Sequence, residues 1–353
     1  MRVENAIASA SADREVLREF ADWMLQIGKG REPTVDNEER DDVIALPAEL
    51  CLPPTADGKI DTAALVERVF PNLAEHCTNT ETVGDWLSER AILAPRNTSV
   101  DELNAQVLES FPGAAVSCFS ADTLTDDDAD AVVSIPIEYL NAQRTSGMPE
   151  HEFIFKPNMP IMLLRNLNPA EGLCNGTRLL ALQLRSNGRL LEAKIISGTH
   201  KGRLVLLPRI DLTPEEGAFP FKWKRRQFPV RAAFVMTINK SQGQSLRCVG
   251  IYLALPCFSH GQLYVAISRV GHPDHLCFAL LPDAATGEFR TRNVVFKDAL
   301  TCGMNHDVRC ELNCDAERLA FEDDDAFEAV AVAQPRPPTP GMDMEDVDSD
   351  SDE

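Results

Sequence analysis

Three stretches between residues 231 and 281 constrain the fold most. "RAAFVMTI" (231–238), "VGIYLAL" (249–255) and "HLCFALL" (275–281) are apolar at nearly every position. A strand with one wet face alternates apolar and polar residues. A strand apolar on both faces has to be covered on both, as in a parallel sheet flanked by helices. "RAILAPRN" (90–97) supplies another such strand, and a helical face follows it at Val100, Leu103, Val107, Leu108 and Phe111. Ser99 and Glu102 have capping-box spacing there, as do Ser259 and Gln262 ahead of Leu263, Ala266, Ile267 and Val270, where Gly271 stops the helix. Residues 13–28 read as an amphipathic helix, 29–60 as a long connection, and a helix is expected from an Asp61 cap to about Glu75. These elements predict an α/β chain.

Residues 159–210 have a different rhythm. "MPIMLLRN", "TRLLALQLRS", "RLLEAKIIS" and "GRLVLLP" are short strands separated by Asn187-Gly188 and "SGTHKG", which predicts a small antiparallel barrel inserted in the α/β domain. The ten cysteines are scattered in apolar contexts and read as reduced thiols. Cys302, His306, Cys310 and Cys314 recur every four residues. On one helix they would spread over about 18 Å at ~1.5 Å per residue, too far to ring one ion, so no metal site is expected. From Glu322 to Glu353 twelve acids accompany one base, a composition expected to be disordered.

Net charge is −21, but the charge is not evenly spread. Between Gly172 and Pro273 fifteen basic residues face four acidic ones, and from Gly217 to Pro273 there is no acid at all. An anionic ligand is therefore expected on this window. Within it, "TINKSQGQS" (237–245) sits where a buried strand ends, the end of an open α/β sheet at which ligands bind. Its glycine admits a phosphate close to the backbone, and Lys240 with its polar neighbours supplies donors. Arg269 closes the following apolar helix. It is either a cation answering the helix dipole or an arginine finger for a transferring phosphoryl group. "KWKRRQF" (222–228) reads as either a nuclear-import patch or a DNA-backbone patch.

"FPVRAAFVMTINKSQGQSL" and "FSHGQLYVAISRV" resemble motifs V and VI of the Pif-one family of superfamily-one DNA helicases, in its Helitron-helicase-like branch. "RAILAPRNTSVDELN", "MLLRNLNPAEGLCNGTRLL" and "GTHKGRLVLLPRI" fit as well, so the resemblance covers roughly residues 1 to 300. It implies a RecA-like parallel sheet of the P-loop NTPase type. Residues 1–150 would be the first part of the second RecA-like domain and 151–228 an inserted SH3-like β-barrel. Residues 229–300 would return to the RecA-like domain with motifs V and VI, and 301–353 would hold a cysteine-containing segment and the acidic tail. It also implies that Gln242, Gly243 and Arg269 face the phosphates of ATP, with Arg2 of "MRVE" as a second arginine. Thr237, Asn239, Lys240 and Ser241 would lie nearer single-stranded DNA, together with Lys222, Lys224, Arg225 and Arg226. Asn239 stands where many members carry histidine.

No G-x-x-x-x-G-K-[ST] occurs, and no apolar strand ends in the Asp-Glu that would hold Mg²⁺. ATP and Mg²⁺ are thus expected only when a first RecA-like domain completes the site in cis or in trans. The expected function is the C-terminal portion of an ATP-dependent five-prime to three-prime DNA helicase. A stand-alone single-strand DNA-binding module and a partner completing another chain's ATP site are the alternatives. No apolar run reaches membrane-spanning length and no signal-like start is present, so a nuclear location is expected, with a mitochondrial one open.

Overall fold

The computed structural model describes residues 13–35, 42–79, 81–125, 135–145 and 147–297, all within the unit Met1–Cys310. Arg2, the 302–314 cysteine and histidine series, the acidic run at 126–130 and the tail from Glu322 lie outside the described residues.

The double-sided apolar runs form a four-stranded parallel sheet in the order Val235–Thr237, Arg90–Ala94, Cys248–Tyr252, Leu276–Ala279. Alternate residues feed two separate cores. Ile92, Ala94, Val235, Cys277 and Ala279 point to one, with Leu65, Val69, Val100, Leu103 and Val107 of the covering helices. Ala91, Leu93, Met236, Val249, Ile251, Leu276 and Phe278 point to the other, which helices Asp13–Gly28 and Gln262–Ile267 close with Phe20, Met24, Ile27, Leu263, Ala266 and Ile267. Gly250 is obligatory in this packing. A Cβ there would stand 2.6 Å from Leu65 Cδ1 and 2.7 Å from Val69 Cγ2, so helix Thr62–Val69 lies directly on its backbone.

Helix boundaries differ from the sequence reading for local reasons. Asp61 caps as expected, its carboxylate accepting the Ala64 N–H at 2.8 Å. The helix nevertheless ends at Val69, because Pro71 cannot continue it; Asn72 turns left-handed (φ 53°) and a separate turn, Leu73–His76, follows. Helix Asn97–Ser110 starts two residues before Ser99, which is buried within its first turn and caps nothing. At the second motif helix, Gln262 accepts instead from the Phe258 N–H at 3.1 Å, and the helix ends at Ile267 with Ser268 as cap, short of Gly271.

The inserted module is antiparallel. Its five-stranded sheet runs Val230–Ala232, Pro160–Leu163, Arg178–Arg185, Leu190–Ile195, Leu204–Pro208. A three-stranded sheet runs Ile210–Leu212, Trp223–Gln227, Ala121–Leu124, and Val116–Phe119 pairs with Glu152–Phe155. The chain passes from the five-stranded sheet to the three-stranded one at Arg209 and back at Phe228-Pro229. No pairing among the described residues closes the five strands into a ring. The module draws two strands from before residue 150, so its pairing crosses the boundary expected there. "RAAFVMTI" is likewise divided, Val230–Ala232 going to the module and Val235–Thr237 to the parallel sheet.

Buried cations fasten the parts together. Arg178 is fully buried with no carboxylate bonded to it. Its guanidinium donates to the carbonyls of Leu87, Ser88, Arg90 and Ala233, which ties the module to the parallel-sheet layer, and burial pushes its pKa down to about 10. Lys156 Nζ donates to the Leu108 and Phe111 carbonyls at 2.7 and 2.6 Å, satisfying the end of helix Asn97–Ser110. No described helix is long and apolar enough to cross a membrane.

Candidate functional site

Strand Val235–Thr237 lies at the edge of the parallel sheet, where its outer amides need partners. Asn104 supplies them. Its Oδ1 accepts the Phe234 and Val235 N–H groups at 3.1 and 3.0 Å, and its Nδ2 donates to the Val235 carbonyl at 2.9 Å. The strand then breaks into the turn Asn239–Ser241. The Ser241 hydroxyl is fully buried and donates to the Ile238 carbonyl at 2.6 Å; Thr237 is also buried. Neither side chain is placed to meet a DNA strand, which corrects the expectation for both: they build the turn. Asn239 and Lys240 are half-buried, while Gln242 and Gly243 are exposed. Gly243 has φ +77° with nothing within 4 Å of where a Cβ would stand, so the left-handed turn presents open backbone. Gln244 Nε2 ties the turn back to the Lys240 carbonyl at 3.1 Å.

Arg269 joins this turn to the second motif. Its Nε donates to the Val265 carbonyl of its own helix at 2.7 Å, and one terminal nitrogen donates to the Ser241 and Gln244 carbonyls at 3.3 and 3.2 Å. The other donates to Ser268 Oγ at 2.7 Å, and the Arg269 carbonyl accepts the Leu246 N–H at 3.0 Å. The structure thus brings together Lys240, Gln242, Gly243 and Arg269. The side chain answers its helix's carbonyl end and also braces the neighbouring turn.

The fit to ATP is that of one wall. Donors and open glycine backbone suit phosphate oxygens. Among the described residues no group of three His, Cys, Asp or Glu could hold a metal.

The basic strand divides by face. In Trp223–Gln227 burial alternates, so Trp223, Arg225 and Gln227 point inward and Lys224 and Arg226 outward. Arg225 is 1% exposed. It grips Asp122 through Nε at 3.0 Å and a terminal nitrogen at 2.7 Å, and donates to the carbonyls of Leu140, Gln143 and Pro149. This corrects its assignment to DNA: the guanidinium is consumed inside the module. Lys222 is exposed, and Lys224 and Arg226 share Asp211 at 3.1 and 3.8 Å. The period of two in the sequence was the signal that could have placed Arg225 inside.

Two residues outside the expected site border it. Arg231 pairs with Asp101 and reaches Asn97 Oδ1 at 3.3 Å. Burial raises the Asp101 carboxyl's pKa, against the opposing pull of Arg231, Arg144 and Lys240.

The description "DNA helicase Pif1, 2B domain" matches residues 138–184, which include Arg178 and the first strands of the module. The ATP-dependent DNA helicase PIF1 of Rattus norvegicus is 36% identical over 110 residues, 31% of this chain and 16% of that protein. That of Xenopus laevis is 30% identical over 195 residues, 54% of this chain and 28% of that protein. This chain therefore aligns with only a minor part of either relative. Among solved structures, Bacteroides Pif1 bound to ssDNA is similar with a TM-score of 0.48 at 15% identity, over 81% of this chain and 53% of that one. The 2B-domain match at residues 138–184 and the sequence relatives make this chain similar, over part of its length, to Pif1-family DNA helicases.

Proposed function

We propose that the chain acts as the C-terminal portion of an ATP-dependent five-prime to three-prime DNA helicase, supplying the motif V and VI wall of the ATP site and a surface for single-stranded DNA. The observation that carries this reading is the brace from Arg269 to the Ser241 and Gln244 carbonyls, beside the open backbone of Gly243. It links the turn assigned to the strand of DNA with the arginine assigned to the nucleotide, so a change at either is felt at the other. Family resemblance, the 2B match and the basic window support the DNA-facing half. The antiparallel module would be the SH3-like insert of that family.

When bound across two domains, ATP would bring a transferring phosphoryl group whose charge needs stabilising. This chain's residues would orient it: Gly243 by leaving room, Gln242 by donating, Arg269 by turning its planar fork from backbone carbonyls to phosphate oxygens. The first RecA-like domain would supply the phosphate loop and the metal ligands.

The test is reconstitution. The chain alone should show no ATP turnover above background, and adding the first RecA-like domain in cis or in trans should give DNA-stimulated hydrolysis. In that restored enzyme Arg269→Ala should lower turnover by on the order of 10³-fold, and Arg269→Lys should rescue poorly. Single-strand affinity should be measured beside turnover, because losing the brace alone would alter DNA binding more than hydrolysis. Robust hydrolysis by the chain alone, or full turnover by Arg269→Ala, would overturn the proposal.

A further inference from the structure

Helix Asn97–Ser110 begins at the carboxyl end of strand Arg90–Ala94 and runs back along the sheet. Asn104 anchors it to the edge strand at Phe234 and Val235. One turn earlier on the same helical face stands Asp101, and one further turn earlier Asn97, toward the end of the sheet where the Lys240 turn begins. Asp101 is half-buried and paired to Arg231, whose other terminal nitrogen is held by Asn97. Lys240 and Arg144 complete its positive surroundings. The three cations come from three different elements: the strand Val230–Ala232, the motif V turn and the segment following helix Ile137–Asn141. The acids near them are Asp101 itself, Glu102 beside it, and Glu150, which approaches Arg144 at 3.9 Å. A salt bridge built only for stability needs one cation per carboxylate. Here one half-buried carboxylate is bonded to Arg231 of the module and feels the charges of Lys240 on the motif V turn and of Arg144.

Resting on the reading that Lys240 faces single-stranded DNA, we propose that Asp101 is a built-in phosphate surrogate. It positions Arg231, Lys240 and Arg144 as a seat for one backbone phosphate, and that phosphate displaces it when the strand binds. Asp101 is then a positioning residue, and Arg144 and Arg231 become phosphate contacts beside Lys240. The carboxylate keeps the cations gathered while no strand is present, and it competes with the incoming phosphate for them. Affinity is given up in exchange for a preformed seat, and the competition is electrostatic, so it answers to salt.

The experiment is fluorescence-anisotropy titration of the full chain with a labelled oligothymidylate across a salt series. Asp101→Asn keeps an oxygen acceptor for Arg231 and removes the competing charge. It should bind roughly fivefold tighter at low salt, about the strength of one unit-charge contact at ion-pair distance in water. Its log–log salt slope should steepen by about 0.7, the release expected for one more phosphate on a single strand. Unchanged affinity and slope in a folded Asp101→Asn would overturn the proposal and leave Asp101 a structural ion pair. Arg144→Gln provides a second arm that does not endanger folding, since that side chain is 77% exposed. It should weaken binding to all sequences alike and flatten the slope by a similar amount; wild-type binding by this variant would also overturn the shared seat. If the wild-type chain fails to bind the oligonucleotide even at low salt, the DNA-binding reading falls, and this inference with it. Wild-type binding with unresponsive variants sinks the inference alone.

Discussion

Arg225 shows how much rests on single buried charges. Its pair with Asp122 is excluded from water, the two side chains being 1% and 0% exposed. Removing one partner leaves an uncompensated charge, and losses of about 3–5 kcal/mol are usual for that. Arg225→Ala should accordingly lower the urea midpoint severely or prevent folding. The double change Arg225→Met with Asp122→Leu should recover only the part due to the stranded charge, because the Leu140, Gln143 and Pro149 carbonyls still lose their donor. Arg226→Ala, next in sequence but outward and 64% exposed, should stay within about 0.5 kcal/mol of wild type. If Arg225→Ala proved as mild as Arg226→Ala, Asp122 would have to find another partner. The buried thiols are inert for a related reason: burial pushes Cys257 and Cys277 up to about 12, far from thiolate chemistry at neutral pH.

Elements here are held by contacts that no helix or strand makes alone. The edge strand carrying the motif V turn depends on Asn104, which serves two N–H groups and one carbonyl. Asn104→Leu keeps the bulk but orphans those groups, and each buried unsatisfied group costs about 1–3 kcal/mol. Hydrogen exchange should therefore accelerate at the Phe234 and Val235 amides more than at the central strand Cys248–Tyr252. Equal acceleration across the sheet would mean that Asn104 stabilises the whole layer. Gly250→Ala acts on the same face at a central strand, where helix Thr62–Val69 must lift to admit a methyl group. Overpacking of this kind costs about 1–3 kcal/mol, and it should appear as a lower thermal midpoint with the antiparallel module's exchange protection intact.

On the whole-molecule scale, charge and pH act at the two ends of the parallel sheet differently. Toward the carboxyl end lie the Lys240 turn and the Asp101 surroundings. At the amino end, burial lowers the His275 pKa, aided by His272, Arg247 and Arg90 and opposed by Asp274. The sign follows. The unfolded chain binds a proton at His275 more readily than the folded one, so stability is complete above the unfolded histidine value of about 6.5. It declines as pH falls from there through the depressed folded value. His275→Gln should flatten the difference in urea midpoint between pH 8 and pH 5.5, whereas a variant with wild-type pH dependence would rule His275 out as a contributor.

The parallel sheet was legible from sequence because burial on both faces leaves a local trace, the continuous apolar run. The antiparallel module was marked by its short strands and the turns between them, Asn187-Gly188 and "SGTHKG"; the alternating burial of Leu204–Pro208 was not legible, because that strand is apolar throughout. The basic window and the Lys240–Gly243 turn could be read because charge and glycine act where they stand. What tertiary structure decided were pairings between distant residues. Arg225 finds Asp122 across 103 positions, Arg178 finds carbonyls on two other elements, and Arg269 finds the motif V turn 25 and 28 residues back. It also split "RAAFVMTI" between two sheets, since which strand lies beside which is a property of the packed layers. Local periodicity tells a side chain which way to face. The partner it meets there is set by the chain's long-range path, and for a buried charge that partner decides whether the residue binds a ligand or holds the fold together.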